Sequence, residues 1–104
     1  MRILKFDVKK QRIVKKTGCD FSGLVPGSVN YLGAKFYFST EWKACKLKVA
    51  SFWVGEQEYA VKLDEYNSCV IPSEALTEEK FQVSVIGVNP PFKIGTNKST
   101  VRQR

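Results

Sequence analysis

Apolar and polar residues alternate along most of this chain with a period of two, the spacing that places every second side chain of a strand on one face. Leu4, Phe6 and Val8 alternate with Lys5, Asp7 and Lys9, and Arg12, Ile13 and Val14 form a short second strand. Residues 17–28 collect Gly18, Gly23, Pro26 and Gly27, the punctuation of a long connection. Residues 30–38 resume the alternation with Leu32, Ala34, Phe36 and Phe38 on one face. Residues 46–54 are apolar on both faces, which suits a central strand. Gly55-Glu56 turns the chain into an alternating Tyr59, Val61 and Leu63, and Asp64-Glu65-Tyr66-Asn67 reads as a hairpin turn before residues 68–71. Residues 80–88 alternate through Phe81, Val83 and Val85, and beyond Pro90-Pro91 one last strand is expected within 92–101.

The only helical signal is Pro72-Ser73-Glu74-Ala75-Leu76, where a proline suits the start of a turn because its missing N–H would be unpaired there anyway. Seven or eight short strands at regular spacing, with no long helix between them, predict an all-β fold. The expectation is one antiparallel, immunoglobulin-like β-sandwich over residues 1–104, with a flexible basic tail from about residue 98.

Composition narrows the chemistry. An apolar fraction of 43% in 104 residues is that of a chain that buries its own core. No run of apolar residues is long enough to span a bilayer, and the first residues lack the apolar stretch of a secretory signal, so synthesis and folding in a cytoplasm are expected, with no membrane role. The three cysteines, Cys19, Cys45 and Cys69, are spaced neither as a disulfide framework nor as a metal site and read as reduced, apolar side chains. Histidine is absent, which removes the commonest general base and metal ligand. The glycines match no phosphate-cradling motif, and Asp64-Glu65 and Glu78-Glu79 read as solvated acids rather than a catalytic pair. Binding rather than catalysis is expected, with no cofactor and no metal.

Charge is uneven as well as high, at a formal +7. Lys5, Lys9, Lys10, Arg12, Lys15 and Lys16 form a candidate basic patch near the start, while residues 41–80 lean acidic. Tyr31 and Tyr37, flanking Lys35, are candidate exposed platforms, whereas Phe36 and Phe38 share the apolar face. That combination makes a small nucleic-acid-binding β-domain one reading, whose support depends on Lys5, Lys9, Arg12 and Lys16 sharing a face. Trp42, after a polar Ser-Thr-Glu turn, is expected to close one end of the sandwich, with Pro72 and Leu76 closing the other side. Trp53 falls on the parity opposite Ala50 and Phe52, so it points outward as a candidate interface anchor.

The segment Phe36-Tyr37-Phe38-Ser39-Thr40-Glu41-Trp42, followed by Ala50-Ser51-Phe52, Val61-Lys62-Leu63-Asp64, Cys69-Val70-Ile71-Pro72-Ser73-Glu74-Ala75-Leu76, Phe81 to Gly87 and Thr96-Asn97, resembles a known domain. It is the small N-terminal β-sandwich of baseplate upper proteins and tail-fibre-anchoring structural proteins of phages of Gram-positive hosts. That family commonly has Trp after the proline, where this chain has Ser73, and commonly continues into a longer fibre or adhesin region. The resemblance implies a virion component, made in the host bacterial cytoplasm, that docks on a phage particle through contacts with other virion proteins and with copies of itself. Tail, baseplate and head-fibre positions all fit it. A phage-encoded inhibitor of a host protein is a further binding reading.

Overall fold

The alternating segments become strands because their odd and even positions serve different surroundings. The computed structural model describes all residues, 1–104. Nine strands form: β1 Arg2–Lys9, β2 Arg12–Lys15, β3 Leu32–Phe38, β4 Leu47–Val54, β5 Gln57–Lys62, β6 Ser68–Val70, β7 Lys80–Asn89, β8 Phe92–Gly95 and β9 Ser99–Arg102. They assemble into a four-stranded sheet, β2-β1-β3-β6, and a five-stranded sheet, β5-β4-β7 with both β8 and β9 on the far side of β7. Leu4, Phe6, Val8, Ala34 and Phe36 from the first sheet meet Ala50, Phe52, Phe81, Val83 and Val85 from the second in one core. The fold is an all-β sandwich, as the periodicity predicts. No helix is long and apolar enough to cross a membrane.

Three local expectations are corrected. The sandwich is not wholly antiparallel: β1 and β3 run parallel, in register from Arg2↔Leu32 to Val8↔Phe38. The β1–β2 hairpin returns the chain to the start of β1, and the connection after it must cross to the other side of β1 before β3 begins. That crossing is anchored. An Arg2 guanidinium nitrogen donates to the carbonyls of Asp20 (2.9 Å) and Ser22 (2.6 Å), Leu24 is buried, and Phe21 packs edge-on against Phe6 at 5.4 Å.

The turn at residues 64–67 is not a hairpin either, because it carries the chain from β5 in one sheet to β6 in the other. Asp64 organises it by accepting the amides of Tyr66 (2.8 Å) and Ser68 (3.0 Å), and Asn67 takes the left-handed conformation, φ 58°, that asparagine tolerates.

The third correction concerns the end of the chain. The one strand expected within 92–101 is two strands, and the tail read as flexible is fixed. β9 pairs with Lys80–Val83 of β7, Val101 is fully buried and Gln103 is 1% exposed. The Gln103 side-chain amide donates to the carbonyls of Leu76 (3.2 Å) and Glu78 (2.8 Å), and its backbone amide donates to Glu79. Between β8 and β9, Thr96 takes over the backbone groups of Val85, and Asn97 Oδ1 accepts the amide of Ile13 at 3.0 Å, which ties the two sheets together along this edge.

Trp42 ends a 3-10 turn, Thr40–Trp42, and is completely buried. Its ring lies 5.1 Å from that of Phe38, and its Nε1 donates to the Lys10 carbonyl at 2.7 Å. Pro72 precedes a second 3-10 turn, Ser73–Leu76, whose Ala75 and Leu76 are fully buried against the sandwich. Cys69 sits at the rim of the core, and burial, with the Asp64 carboxylate as the lesser cause, pushes its thiol up to about 12. Alkylation at pH 8 followed by peptide mapping is expected to find Cys69 more than tenfold slower than a free thiol, because the thiolate is the nucleophile. Labelling of Cys69 at the free-thiol rate would contradict this burial.

Candidate interaction surfaces

The strand register sorts the candidate residues onto two opposite outer faces. On the four-stranded sheet, the positions facing away from the core are Lys5, Asp7 and Lys9 on β1 and Lys35 and Tyr37 on β3, with Lys5↔Lys35 and Asp7↔Tyr37 as neighbours. Opposite Lys9 and Asp7 stand Arg12 and Val14 of β2, and the Lys16 amide bonds the Lys5 carbonyl. Lys5, Lys9, Arg12, Lys16 and Lys35 therefore share one face. Neighbouring strands are about 5 Å apart and each residue advances about 3.3 Å, so these cations form a grid rather than a line.

Two of the expected patch residues lie elsewhere. Lys15 is in register with Phe6 and points to the core side, its Nζ 5.4 Å from the Phe21 ring centre, so it leaves the patch. Lys10 occupies the β1–β2 turn at φ 53°, at the end of the face. Within the grid, Lys16 Nζ lies 2.9 Å from Asp7 Oδ1 and 4.4 Å from the Tyr37 ring centre, while Lys35 Nζ is 5.6 Å from the same ring. The Tyr37 ring is thus flanked by two ammonium groups, an attraction of the cation for the ring's negative face. At the adjoining end, the Ser39 hydroxyl donates to Glu41 and holds that carboxyl below its ordinary range. Tyr31 lies just before β3 and is exposed.

The basic face continues around an open edge. β6 pairs with β3 only as far as Lys35↔Ser68, so the Phe38 N–H has no strand beside it. A cleft of about 330 Å³ opens there, lined by Lys35, Tyr37, Lys43, Lys48, Tyr66 and Asn67. Lys48 Nζ stands 5.3 Å from the Phe38 ring centre, and Tyr66 is 68% exposed. Lys43, Lys48 and Tyr66 come from segments remote in sequence, and nothing in local patterning marks them.

The outer face of the five-stranded sheet has another character. Leu47, Val49, Ser51 and Trp53 of β4 stand beside Lys62, Ala60 and Glu58 of β5 and beside Val88, Ile86, Ser84 and Gln82 of β7. Ser51 and Ser84 are buried beneath their larger neighbours, leaving Leu47, Val49, Ile86 and Val88 as a contiguous, partly exposed apolar strip. Trp53 does face outward, but its indole lies against the sheet: Nε1 donates to Ser84 Oγ at 3.0 Å, and Lys98 Nζ sits 3.8 Å above the ring. Trp53 is therefore on the face opposite to Lys35 and Tyr37, and the expected interface residues do not form one site.

Comparison with protein families, with curated proteins and with solved structures returns no match. The segments that carry the phage-protein resemblance supply β3, the Trp42 turn, the Pro72–Leu76 turn, β7 and the Thr96–Asn97 tie between the sheets. They build the framework, and most of the remaining candidate residues lie on the outer faces of the two sheets.

Proposed function

We propose that this chain is a non-enzymatic structural module of a phage or prophage particle, docked in a tail, baseplate or head-fibre assembly by contacts with copies of itself and with neighbouring virion proteins. The observation that carries this reading is the apolar strip of Leu47, Val49, Ile86 and Val88 on the outer face of the five-stranded sheet. A sheet with one face in the core commonly gives its other face to water and polar side chains. Here valine, isoleucine and leucine occupy that face over two adjacent strands, the mark of a surface covered in an assembly. The resemblance of residues 36–42 and 69–76 to phage baseplate domains supplies the kind of assembly. Localisation in the virion follows from the same reading.

Light scattering coupled to size exclusion tests it. A discrete oligomer that persists as salt rises is expected, because apolar contacts are not screened. Val49→Glu with Ile86→Glu is expected to weaken association more than tenfold while leaving the circular dichroism spectrum unchanged, since both side chains face away from the core. A monomer at every concentration, or an oligomer indifferent to both substitutions, would overturn the assignment of this face.

A further inference from the structure

We infer that the basic face of the four-stranded sheet, together with the cleft at the open edge of β3, binds the backbone of a single-stranded nucleic acid. The inference concerns the side of the molecule opposite the apolar strip and does not depend on it. Three features coincide there. The first is cation density: Lys5, Lys9, Arg12 and Lys35 stand on one sheet face, and Lys43 and Lys48 continue the path past Tyr37 into the cleft. The acids near this path are few. Asp7 is engaged by Lys16, Asp64 is occupied by two backbone amides, Glu41 is held by Ser39, and Asp20, in the hollow beside Lys5 and Lys16, accepts the amide and hydroxyl of Ser22, which leaves Glu65 in the adjoining hollow beside Lys48 and Lys62.

The second feature is aromatic. Tyr37 and Tyr66 line the cleft with their rings partly or largely open to solvent. Aromatic platforms between cations are how small β-domains hold unpaired bases, whose π-faces are available only when the strand is single. The third is backbone polarity. The Phe38 N–H, on the edge that β6 leaves unpaired, offers one donor to a base edge. An acidic protein surface would also be drawn by the cations, and it is distinguished from a nucleic acid by competition with an acidic polypeptide. A duplex could engage the cations but could not stack its bases.

Fluorescence anisotropy with a labelled fifteen-nucleotide oligothymidine tests this. Contact with about four phosphates gives a logarithmic salt slope of about −2.8, or roughly a fiftyfold loss of affinity between 50 and 200 mM salt. The triple variant Lys9→Glu, Lys35→Glu, Lys43→Glu is expected to bind more than tenfold more weakly. A variant with the same net charge but altered away from this face and cleft, Lys80→Glu, Lys93→Glu, Arg104→Glu, is expected to stay within about threefold of the parent. Tyr66→Ala is expected to lower affinity several-fold without changing the salt slope, because stacking releases no counterions. Three results would each overturn the inference: no binding at low salt, equal losses in the two triple variants, or competition by polyglutamate as effective as that by unlabelled oligothymidine. The last would assign the face to an acidic protein instead. Circular dichroism on each variant separates loss of binding from loss of fold.

Discussion

A chain ending at Lys98 is expected not to fold. The six residues removed look dispensable in sequence, with Arg102 and Arg104 exposed, yet they complete the five-stranded sheet. Their loss strips the pairing from Lys80–Val83 of β7 and takes Val101 from the core. Burial of a valine side chain contributes about 1.5–3 kcal/mol, and each lost ladder hydrogen bond about 1 kcal/mol. The carbonyls of Leu76, Glu78 and Glu79 also lose the Gln103 donors that satisfy them. The Leu76 carbonyl keeps the Gly27 amide and Glu78 and Glu79 are exposed, so these carbonyls add little, but the burial and ladder losses alone reach the lower part of the range of about 5–15 kcal/mol by which a domain of this kind is held folded. The truncated chain is expected to lack near-ultraviolet dichroism and a cooperative thermal transition. Removal of Arg104 alone is expected to change neither. Gln103→Ala falls between, at about 2 kcal/mol, moderated because Gln103 Oε1 is itself buried without a partner. A cooperative melt of the truncated chain within a few degrees of the full one would contradict this account.

That tail shows where sequence patterning stops. Leu4, Phe6 and Val8 announce their strand because the inward residues are apolar and most outward ones are charged, and β4 announces itself as a run apolar on both faces. β9 has only Val101 as a buried apolar residue, with Gln103 buried just beyond it, and a buried glutamine has no signature until the carbonyls it serves are placed beside it. The parallel pairing of β1 with β3 was equally hidden. Parallel and antiparallel neighbours carry the same alternation, and the choice lies in the connection over residues 16–31, whose anchors, Arg2 to two carbonyls and a buried Leu24, follow no period. Asp64-Glu65-Tyr66-Asn67 has the local chemistry of a hairpin turn, and only the positions of the two sheets reveal that it joins them.

The surfaces were half legible for the same reason. Parity alone puts Lys5 and Lys9 on one side of β1 and Trp53 outside its sheet. Grouping basic residues by closeness in sequence brought in Lys15, which parity assigns to the other side. The cleft residues Lys43, Lys48 and Tyr66 meet only after the chain has changed sheets twice, and the covering of Trp53 by Lys98 depends on the break between β8 and β9.

Trp42→Ala is expected to destabilise the domain by about 4 kcal/mol, within the range of about 3–5 kcal/mol for emptying a fully buried aromatic site. Trp42 is the largest of the fully buried side chains, and its removal takes away the contact with Phe38 and leaves the Lys10 carbonyl without its 2.7 Å donor. Trp42→Phe is expected to cost roughly half as much, because the packing survives in part while the hydrogen bond does not. The reason only a glycine sits opposite is geometric: a Cβ on Gly87 would stand 2.9 Å from the Trp42 ring and 2.7 Å from Cys45 Sγ. Gly87→Ala alone therefore overfills the site and is expected to cost about 1–3 kcal/mol. In the Trp42→Ala background the ring is gone, Cys45 has room to turn aside, and the same methyl fills part of the cavity. The substitution is then expected to be neutral or stabilising, a coupling above about 1 kcal/mol between residues in contact. Denaturant midpoints of the four chains in this cycle measure it directly. An equal cost for Gly87→Ala in both backgrounds would mean that Trp42 is not what the glycine makes room for.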